Sequence, residues 1–257
     1  MFIMSRIPKS HPRYISLNTR EKIARGVKRG VTSMHGLMAH GRGEAFDYIL
    51  DEKTNRYALK SIQAAAALLL LAKYPVISVN GNSAALVPKD LIKLSKILNA
   101  PLEVNVFHAS KKRERNIRKF LIKLGATNVL LPQKNVKIKY LGSNRRYVNK
   151  EGIYKADVIF VPLEDGDRTE ALIENEKKVI AIDLNPMSRT AKNATITIVD
   201  NIVRAMPMLI KTINNFKNKR TTKQLKNILK NYKNKKILKE AMRHINERLK
   251  RLSEKFK

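Results

Sequence analysis

Short runs of apolar and β-branched residues alternate with longer segments of helical periodicity through the middle of this sequence. The runs predicted to be strands are 76–79, 102–107, 128–131, 157–161, 179–182 and 196–199. In most of the intervening segments apolar residues recur every three or four positions, which is typical of amphipathic helices. Strands that alternate with helices favour βαβ units. The pattern therefore predicts an α/β fold with a mostly parallel sheet flanked by helices.

The region before the first strand, residues 1–74, is predicted to be mainly helical. Ser16 or Thr19 is a candidate cap for the first helix. The stretch 55–73 is rich in alanine and leucine and is therefore strongly helix-forming.

Two segments are expected to be irregular. Glycines on both sides of Arg42 indicate a turn at 41–43, with a helix that begins near Glu44. The polar stretch 133–152 has no clear period, so we expect a loop there.

The end of the chain carries the most concentrated charge. From Lys211 to Lys257 there are 17 basic and 3 acidic residues, which contribute +14 to a net charge of +32. We expect a single α/β domain over residues 1–216, with the sheet in 75–216, followed by a basic helical extension over 217–257.

An apolar stripe runs along this extension at spacings of 4, 3, 4 and 3. Its members are Leu238, Met242, Ile245, Leu249 and Leu252, and Asn234 is placed to cap the helix. Such a stripe predicts a helix that docks on the body of the protein or on a second copy. The alternative is a basic arm for nucleic acid, which has no need of an apolar face.

Composition excludes several classes of protein. The chain has 53 Lys and Arg against 21 Asp and Glu, which fits a nucleic-acid partner or an anionic metabolite equally well. Cysteine is absent, which excludes disulfide scaffolds and thiolate chemistry. The longest apolar run, 64–72, is far shorter than the roughly 20 residues of a membrane-spanning helix. No apolar signal core begins the chain, so we expect a cytoplasmic protein.

Polar loops follow the predicted strands at 80–82, 164–169, 183–190 and 200–201. Ligands of parallel sheets bind beyond the carboxyl ends of the strands, so these loops mark the expected site. Gly81 and Asn82 suit a phosphate at a helix start, but an ordinary turn with an asparagine cap is the simpler explanation and the one that these residues alone favour. Asp183 suits a ribose hydroxyl, or else it caps a helix.

Five charged residues crowd the loop after the fourth predicted strand. They are Glu164, Asp165, Asp167, Arg168 and Glu170. So many carboxylates repel one another unless a cation or an arginine lies between them. One interpretation is a Mg²⁺ site that accompanies ATP, and the other is a solvated helix start. Arg42 is the most suggestive basic residue, because guanidinium groups pair bidentately with phosphate.

Standard nucleotide motifs are missing from the sequence. No GxxxxGK[ST] loop is present, and GRGEAF at 41–46 does not complete a dinucleotide fingerprint. The five histidines show no metal-binding spacing, so we assign no protein metal site.

Several segments together resemble the archaeal phosphopantothenate synthetase (4-phosphopantoate–β-alanine ligase) family. They are IPKSHPRYISLNTREKI at 7–23, MAHGRGEAFDYILDEKT at 38–54, VNGNSAALVPKD at 79–90, ADVIFVPLEDGDRTEALI at 156–173, IDLNPMSRTA at 182–191 and ITIVDNIVRA at 196–205. The resemblance implies a Rossmann-like fold, a homodimer, and ATP as a substrate, with Mg²⁺ expected beside it. It also implies that ATP activates 4-phosphopantoate as an acyl-adenylate, which β-alanine attacks to give 4-phosphopantothenate and AMP.

The resemblance and the residue chemistry give a set of candidate site residues. We assign catalysis to Arg42, Asp165 and Asp167, and the substrate phosphate to Asn80, Gly81 and Asn82. The resemblance places ATP contacts at Arg20, Arg42, Asp183, Leu184, Asn185, Ser188, Arg189, Thr190, Asn201 and Ile202.

Two other functions compete with the ligase. A nucleic-acid-binding protein would use the basic extension, but aromatic residues make up only 6% of the chain and no recognition motif is present. A Rossmann-like dehydrogenase is disfavoured by the incomplete glycine fingerprint.

Overall fold

A computed structural model describes residues 7–107 and 110–256. One six-stranded, wholly parallel sheet forms its centre, with the strand order β3-β2-β1-β4-β5-β6. The strands are β1 (Pro75–Val79), β2 (Leu102–Val104), β3 (Val129–Leu130), β4 (Val158–Pro162), β5 (Lys178–Ile182) and β6 (Ile196–Ile198). Every predicted strand is present, and the predicted α/β class is confirmed.

Helices fill the chain between and around the strands. They are α1 (Tyr14–Lys28), α2 (Met34–Ile49), α3 (Arg56–Leu71), α4 (Gly81–Leu86), α5 (Pro88–Leu98), α6 (Lys111–Lys123), α7 (Gly166–Glu174), α8 (Arg189–Asn193), α9 (Ile202–Lys219), α10 (Thr222–Asn231) and α11 (Asn234–Ser253). Among the described residues, none of these helices is both long and apolar enough to cross a membrane.

The sheet separates two apolar cores, because successive strand residues point to opposite faces. On β5, Ile180 and Ile182 enter the larger core with α3, α5 and α9, whereas Val179 and Ala181 face the smaller one. Helix α7 and the segment between β3 and β4 cover the smaller core. Both faces of the sheet are therefore buried, as parallel sheets require.

Strand order reverses between β1 and β4. The chain runs from β1 outward through β2 to β3, then returns to the other side of β1 and continues through β5 to β6. The loops after β1 and β4 therefore turn away from each other and leave a crevice. Open α/β sheets bind ligands at such a switch point.

The predicted turn at 41–43 is wrong, because α2 continues through both glycines. The helix begins after Ser33, whose side chain accepts the Gly36 N–H at 3.3 Å. Each glycine costs a helix only about 1 kcal/mol relative to alanine, which packing against α1 and α4 offsets.

The predicted caps of α1 are also wrong. This helix begins at Tyr14, and both hydroxyls lie inside it. Ser16 donates to the Arg13 carbonyl at 3.3 Å and Thr19 to the Ile15 carbonyl at 2.7 Å. Helical serine and threonine commonly satisfy their hydroxyls this way when no cap is needed.

The segment between β3 and β4, residues 133–155, is a loop with two short helical turns at 144–146 and 150–154, so the predicted loop is confirmed. Ile138 and Val148 are buried in the smaller core, and their N–H groups donate to the carbonyls of Arg146 at 2.9 Å and Val136 at 3.0 Å. Periodicity did not indicate where this loop packs, because a few isolated apolar residues and hydrogen bonds hold it in place.

Helix α11 docks on the body of the protein, which is one of the two arrangements that its stripe predicted. Ile237, Leu238 and Ala241 are buried against α3, α8 and the α2–α3 connection. The register of the stripe is partly wrong, since Met242 and Leu249 are 41% and 49% exposed. Ile237, Leu238 and Ala241 form the face that contacts the body, so this face lies about one position before the predicted stripe along the helix.

Asn234 does not cap α11, because the N-cap is Lys233 and Asn234 is the first helical residue. Its side chain instead accepts the Thr197 N–H at 2.9 Å and donates to the carbonyls of Ala191 at 2.9 Å and Ala194 at 3.0 Å. This asparagine ties the last helix to β6 and α8.

Candidate active site

A cavity of about 310 Å³ opens in the crevice between the carboxyl ends of β1 and β4. Helix α2 forms one wall of it, and the loops after β1, β2 and β4 form the others. Its polar lining comprises Thr32, Ser33, His35, Arg42, Asn80, Asn82, Arg113, Arg145 and Asp165. Three arginines against one carboxylate make this a site for an anion.

Asn80 joins the two strands that flank the crevice. Its side chain accepts the Ser83 N–H at 2.9 Å in a capping box, and its amide donates to the carbonyls of Pro162 at 3.1 Å and Leu163 at 2.8 Å. The simpler interpretation of this residue, an asparagine cap, is therefore correct, and the cap also fixes the width of the crevice.

Glycine is required at position 81 by a close approach of backbone. A Cβ atom there would lie 2.7 Å from the Val31 carbonyl oxygen and 3.0 Å from the Thr32 Cα. The next residue, Asn82, accepts a hydrogen bond from the Thr32 hydroxyl at 2.6 Å and donates to the Gly36 carbonyl at 2.8 Å. These contacts fasten the start of α2 to the crevice.

Arg145, which also lines this cavity, was not predicted from the sequence. Its side chain is 4% exposed and uses three nitrogens: Nη1 donates to Asp165 at 2.6 Å, Nη2 to Glu164 at 2.8 Å and Nε to Asn105 at 3.0 Å. It enters from the segment 133–155, where no periodicity marked it. The available signal was Asn105, a polar residue within a predicted buried strand.

The acidic loop after β4 is balanced by arginines. Glu164 is buried between Arg145 and Arg168, and Arg168, fully buried, also donates to the Ser78 hydroxyl at 3.2 Å. Burial alone would raise the pKa of Glu164, but the two guanidinium groups hold it below its usual value. Burial and the charge of Glu164 raise the pKa of Asp165.

The remaining carboxylates of this loop lie off the cavity. Asp167 accepts the Arg168 N–H at 2.8 Å, and Glu170 pairs with Arg189 and accepts the Asn193 amide at 2.7 Å. Among residues 7–107 and 110–256, no three His, Cys, Asp or Glu side chains are arranged to hold a metal ion. Arginine side chains lie beside Glu164, Asp165 and Glu170 and offset the repulsion between these carboxylates.

The loop after β5 is braced by its own side chains. Asp183 accepts the Asn185 N–H at 2.9 Å and the Ser188 hydroxyl, while Ser188 also caps α8 by accepting the Ala191 N–H at 2.9 Å. Asn185 accepts the Met187 N–H at 2.9 Å. Burial raises the pKa of Asp183.

This loop packs directly on the loop after β4. Thr190 is buried and donates to the Glu164 carbonyl at 2.8 Å, and a Cβ atom on Gly166 would collide with Arg189. Leu184 is buried beside α2, where a Cβ atom on Gly43 would lie 3.6 Å from it. The predicted ATP-binding loop is thus adjacent to the cavity.

The loop after β6 is tied to α2 through Asp47. Asn201 caps α9 and donates to Asp47 at 2.8 Å, and Arg204 pairs with both Asp47 and Asp200. Burial raises the pKa of Asp200 although Arg204 opposes the shift. Ile202, the next predicted contact, is buried in the larger core.

Arg20 does not line the cavity. Its Nε donates to both carboxylate oxygens of Glu44, at 3.0 and 2.8 Å, and its Nη2 donates to Tyr48 at 3.1 Å. The structure thus gathers Arg42, Asp165 and the 80–82 loop in one cavity. It places 183–190 beside the 164–166 loop of that cavity, ties Asn201 to α2 through Asp47, and leaves Arg20 and Asp167 outside the cavity.

The strand order and the position of the crevice define the class: a Rossmann-like α/β protein with a cavity at its switch point. The family model described as phosphopantothenate/pantothenate synthetase matches residues 57–248. The chain belongs to this family, and the predicted resemblance is confirmed.

Relatives match over nearly the whole chain. The 4-phosphopantoate–β-alanine ligase of Thermococcus kodakarensis is 51% identical over 98% of this chain and 96% of the relative. The ligase of the same name from Thermococcus onnurineus is 50% identical over the same shares. That of Methanosarcina mazei is 49% identical over 97% of this chain and 98% of the relative.

Proposed function

We propose that this protein is an ATP-dependent ligase that joins 4-phosphopantoate to β-alanine and releases AMP and pyrophosphate. The identity to ligases of that name over nearly the whole chain supports the substrates. The observation that carries the site is the cavity at the β1–β4 switch point, lined by three arginines and one carboxylate.

We assign 4-phosphopantoate to this cavity. The substrate carries a phosphate monoester and a carboxylate, and both need cationic partners. Arg42 and Arg113 enter from α2 and α6, and Arg145 lies opposite them on the segment 133–155. The N–H groups at the 80–82 turn are a further candidate for the phosphate.

We assign ATP to the neighbouring loops after β5 and β6, as the family resemblance implies. The packing of the loop after β5 on the 164–166 loop would bring the α-phosphate of ATP close to the substrate carboxylate. The carboxylate oxygen attacks that phosphorus and pyrophosphate leaves. Charge builds on the transferred group in such a step, and fixed cations such as Arg42 stabilise it.

β-Alanine then attacks the acyl carbon, AMP leaves, and the amine loses a proton. Asp165 lies in the cavity wall and is suited to bind the β-alanine ammonium group and to accept that proton. Because the pKa of Asp165 is raised, its carboxylate is a stronger base and accepts that proton more readily. Asp167 stays a prediction, and its position suits support of α7 better than contact with substrate.

Mg²⁺ is expected to arrive with ATP. It commonly binds through nucleotide phosphates and only one or two carboxylates. The donor set fits that mode, since Asp165 is the one acidic group among the described residues that line the cavity. The ion would neutralise the departing pyrophosphate, while the arginines hold the substrate.

The reaction is tested by its nucleotide product. With ATP, 4-phosphopantoate and β-alanine we expect AMP and pyrophosphate in equal amounts, and ¹⁸O from a labelled substrate carboxylate should appear in AMP. Formation of stoichiometric ADP in place of AMP would mean that the intermediate is an acyl phosphate and not an acyl-adenylate. Pantoate without its phosphate is the matched control and should lose at least 100-fold in kcat/KM, because two or more charge-assisted contacts at ~1.5–3 kcal/mol each would be missing.

We also propose that the ligase is a homodimer, and that α2 provides an interface. Met34, Met38, Gly41, Ala45 and Tyr48 are all exposed along one face of it, and Met38 is 71% exposed. The side chains of this strip carry no charge, although the guanidinium groups of Arg13 and Arg20 border it at Tyr48. Met38→Glu should convert the dimer to a monomer, which light scattering would show as a halved mass. An unchanged mass would mean that the interface lies elsewhere.

The cytoplasmic location also stays a prediction.

A further inference from the structure

Strand β2 and the residue that follows it, Asn105, present one apolar face and one polar face, although both are buried. Leu102 and Val104 enter the larger core, whereas Glu103 and Asn105 face the opposite side and are 0% and 2% exposed. Strands in the middle of parallel sheets are normally apolar on both faces. Buried polar groups are costly unless they are hydrogen-bonded, so these two need partners.

The partners lie on the segment 133–155. Asn105 donates to the carbonyls of Arg145 and Tyr147, both at 3.1 Å, and accepts the Arg145 Nε–H at 3.0 Å. It therefore holds both the backbone and the side chain of the arginine that enters the cavity.

Glu103 holds the same segment a few residues further on. One carboxylate oxygen accepts the Asn149 N–H at 2.9 Å and the other accepts the Ile153 N–H at 2.6 Å. A Cβ atom on Gly152 would collide with this carboxylate, so glycine there is what allows the backbone to approach it. Both oxygens face donors, which is the arrangement of an ionised carboxylate.

We propose that Glu103 is a positioning residue for the ligase reaction, whose ionised carboxylate fixes the 149–153 backbone and thereby keeps Arg145 against the substrate. This inference rests on the proposed function, because it gives Arg145 a substrate to hold. Glu103 does not line the cavity and acts only through the segment.

The charges around Glu103 are few. Arg168 of α7 is the cation that acts on the Glu103 carboxylate. Arg145 and Glu164 lie further away than Arg168. Lys150 and Glu151, on the segment itself, are exposed to solvent. Burial raises the pKa of Glu103 to about 7, although the two N–H groups and Arg168 oppose the shift. Protonation below that pH replaces one acceptor with an O–H and breaks one of the two bonds to the segment.

Stability and activity should therefore respond to Glu103 in opposite directions. A carboxyl whose folded pKa is raised binds its proton more tightly when folded, so its contribution to stability falls as pH rises from about 4.5 towards about 7. Glu103→Gln has no carboxyl group to ionise, so it avoids this fall in stability. Its melting temperature at pH 8 should therefore be no lower than that of wild type. Its amide can accept only one of the two N–H groups, so the segment loosens and activity falls.

The test is Glu103→Gln assayed from pH 6 to 8.5 with each substrate varied in turn. We expect KM for 4-phosphopantoate to rise about 10-fold at pH 8 with KM for ATP within twofold. That is the effect of losing roughly one hydrogen bond. The acid limb of the wild-type kcat/KM profile, near pH 7, should flatten in the variant. In an Arg145→Lys background, Glu103→Gln should add less than twofold.

Glu151→Gln is the matched control, since Glu151 is an exposed carboxylate on the same segment and should change nothing. A Glu103→Gln enzyme with wild-type KM values and an unchanged acid limb would overturn the proposal. Equal losses in the wild-type and Arg145→Lys backgrounds would do so as well. Failure of the proposed function is distinct, because wild type itself would then form no AMP.

Discussion

The two halves of the sheet's carboxyl edge are built differently. At the β1–β4 half, Arg42, Arg145 and Asp165 line a cavity. At the β5–β6 half, the side chains of Asp183 and Asn201 are hydrogen-bonded within the protein. In the first half the paired charges of Arg145 and Asp165 also line a cavity, whereas in the second half the polar side chains only hold their own loops.

This difference separates two ways of recognising a substrate. Side chains that face a cavity act directly on the charge of the ligand, so their removal should affect the transition state. Side chains that brace a loop act by presenting backbone groups and shape, so their removal should mainly weaken binding. The mutations below test that separation.

The largest effect is expected at Arg145. Its replacement by alanine removes a cavity guanidinium and leaves Asp165 and Glu164 without one partner. We expect kcat/KM to fall about 1000-fold, the upper range for losing one charge-stabilising donor. Steady-state kinetics measure the loss, and Arg146→Ala, next to it but outside the cavity lining, should stay within threefold. Similar losses in both variants would remove Arg145 from a specific role.

A stability effect of similar size is expected in the last helix, which supports the β5–β6 half. Ile237 is buried in α11, and Ile237→Ala should lower the free energy of unfolding by about 3 kcal/mol. Met242→Ala on the exposed side of the same helix should change it by less than about 0.5 kcal/mol. Denaturant melts measure both. Equal effects would mean that α11 does not dock as described.

Arg42→Ala should raise the barrier by at least ~2.7 kcal/mol, about 100-fold in kcat/KM. The arginine is exposed on α2 and lines the cavity, so its loss should leave the melting temperature unchanged. Arg56→Ala, an exposed arginine at the start of α3, is the control. A folded Arg42→Ala enzyme with wild-type kinetics would take this residue out of the site.

The smallest effect is expected at Asp183. Asp183→Asn keeps the shape of the loop but weakens its bonds to Ser188 and Asn185. KM for ATP should rise about 10-fold while kcat stays nearly unchanged. This corresponds to a loss of about 1.4 kcal/mol of binding energy that the substrate and the transition state share equally. A fall in kcat at constant KM would place Asp183 in the chemical step and erase the contrast between the two halves.

Much of the architecture followed from local pattern. The six apolar runs correspond to the six strands, and most residues of these strands are buried between the two cores, as in other parallel sheets covered on both faces. Local signals were weaker at helix ends. The glycines beside Arg42 indicated a turn, but α2 runs through them since packing outweighs their modest helical cost.

The sequence by itself determined the fold class, the family, and the loops that meet at the carboxyl edge of the sheet. Those properties depend on runs of neighbouring residues and on motifs in order along the chain. Only the tertiary structure decided that Arg145 enters the cavity and that Glu103 and Asn105 hold its segment there. These contacts join residues that lie 40 or more positions apart. No local period encodes them, because each buried polar group must find its hydrogen-bond partner in a distant part of the chain.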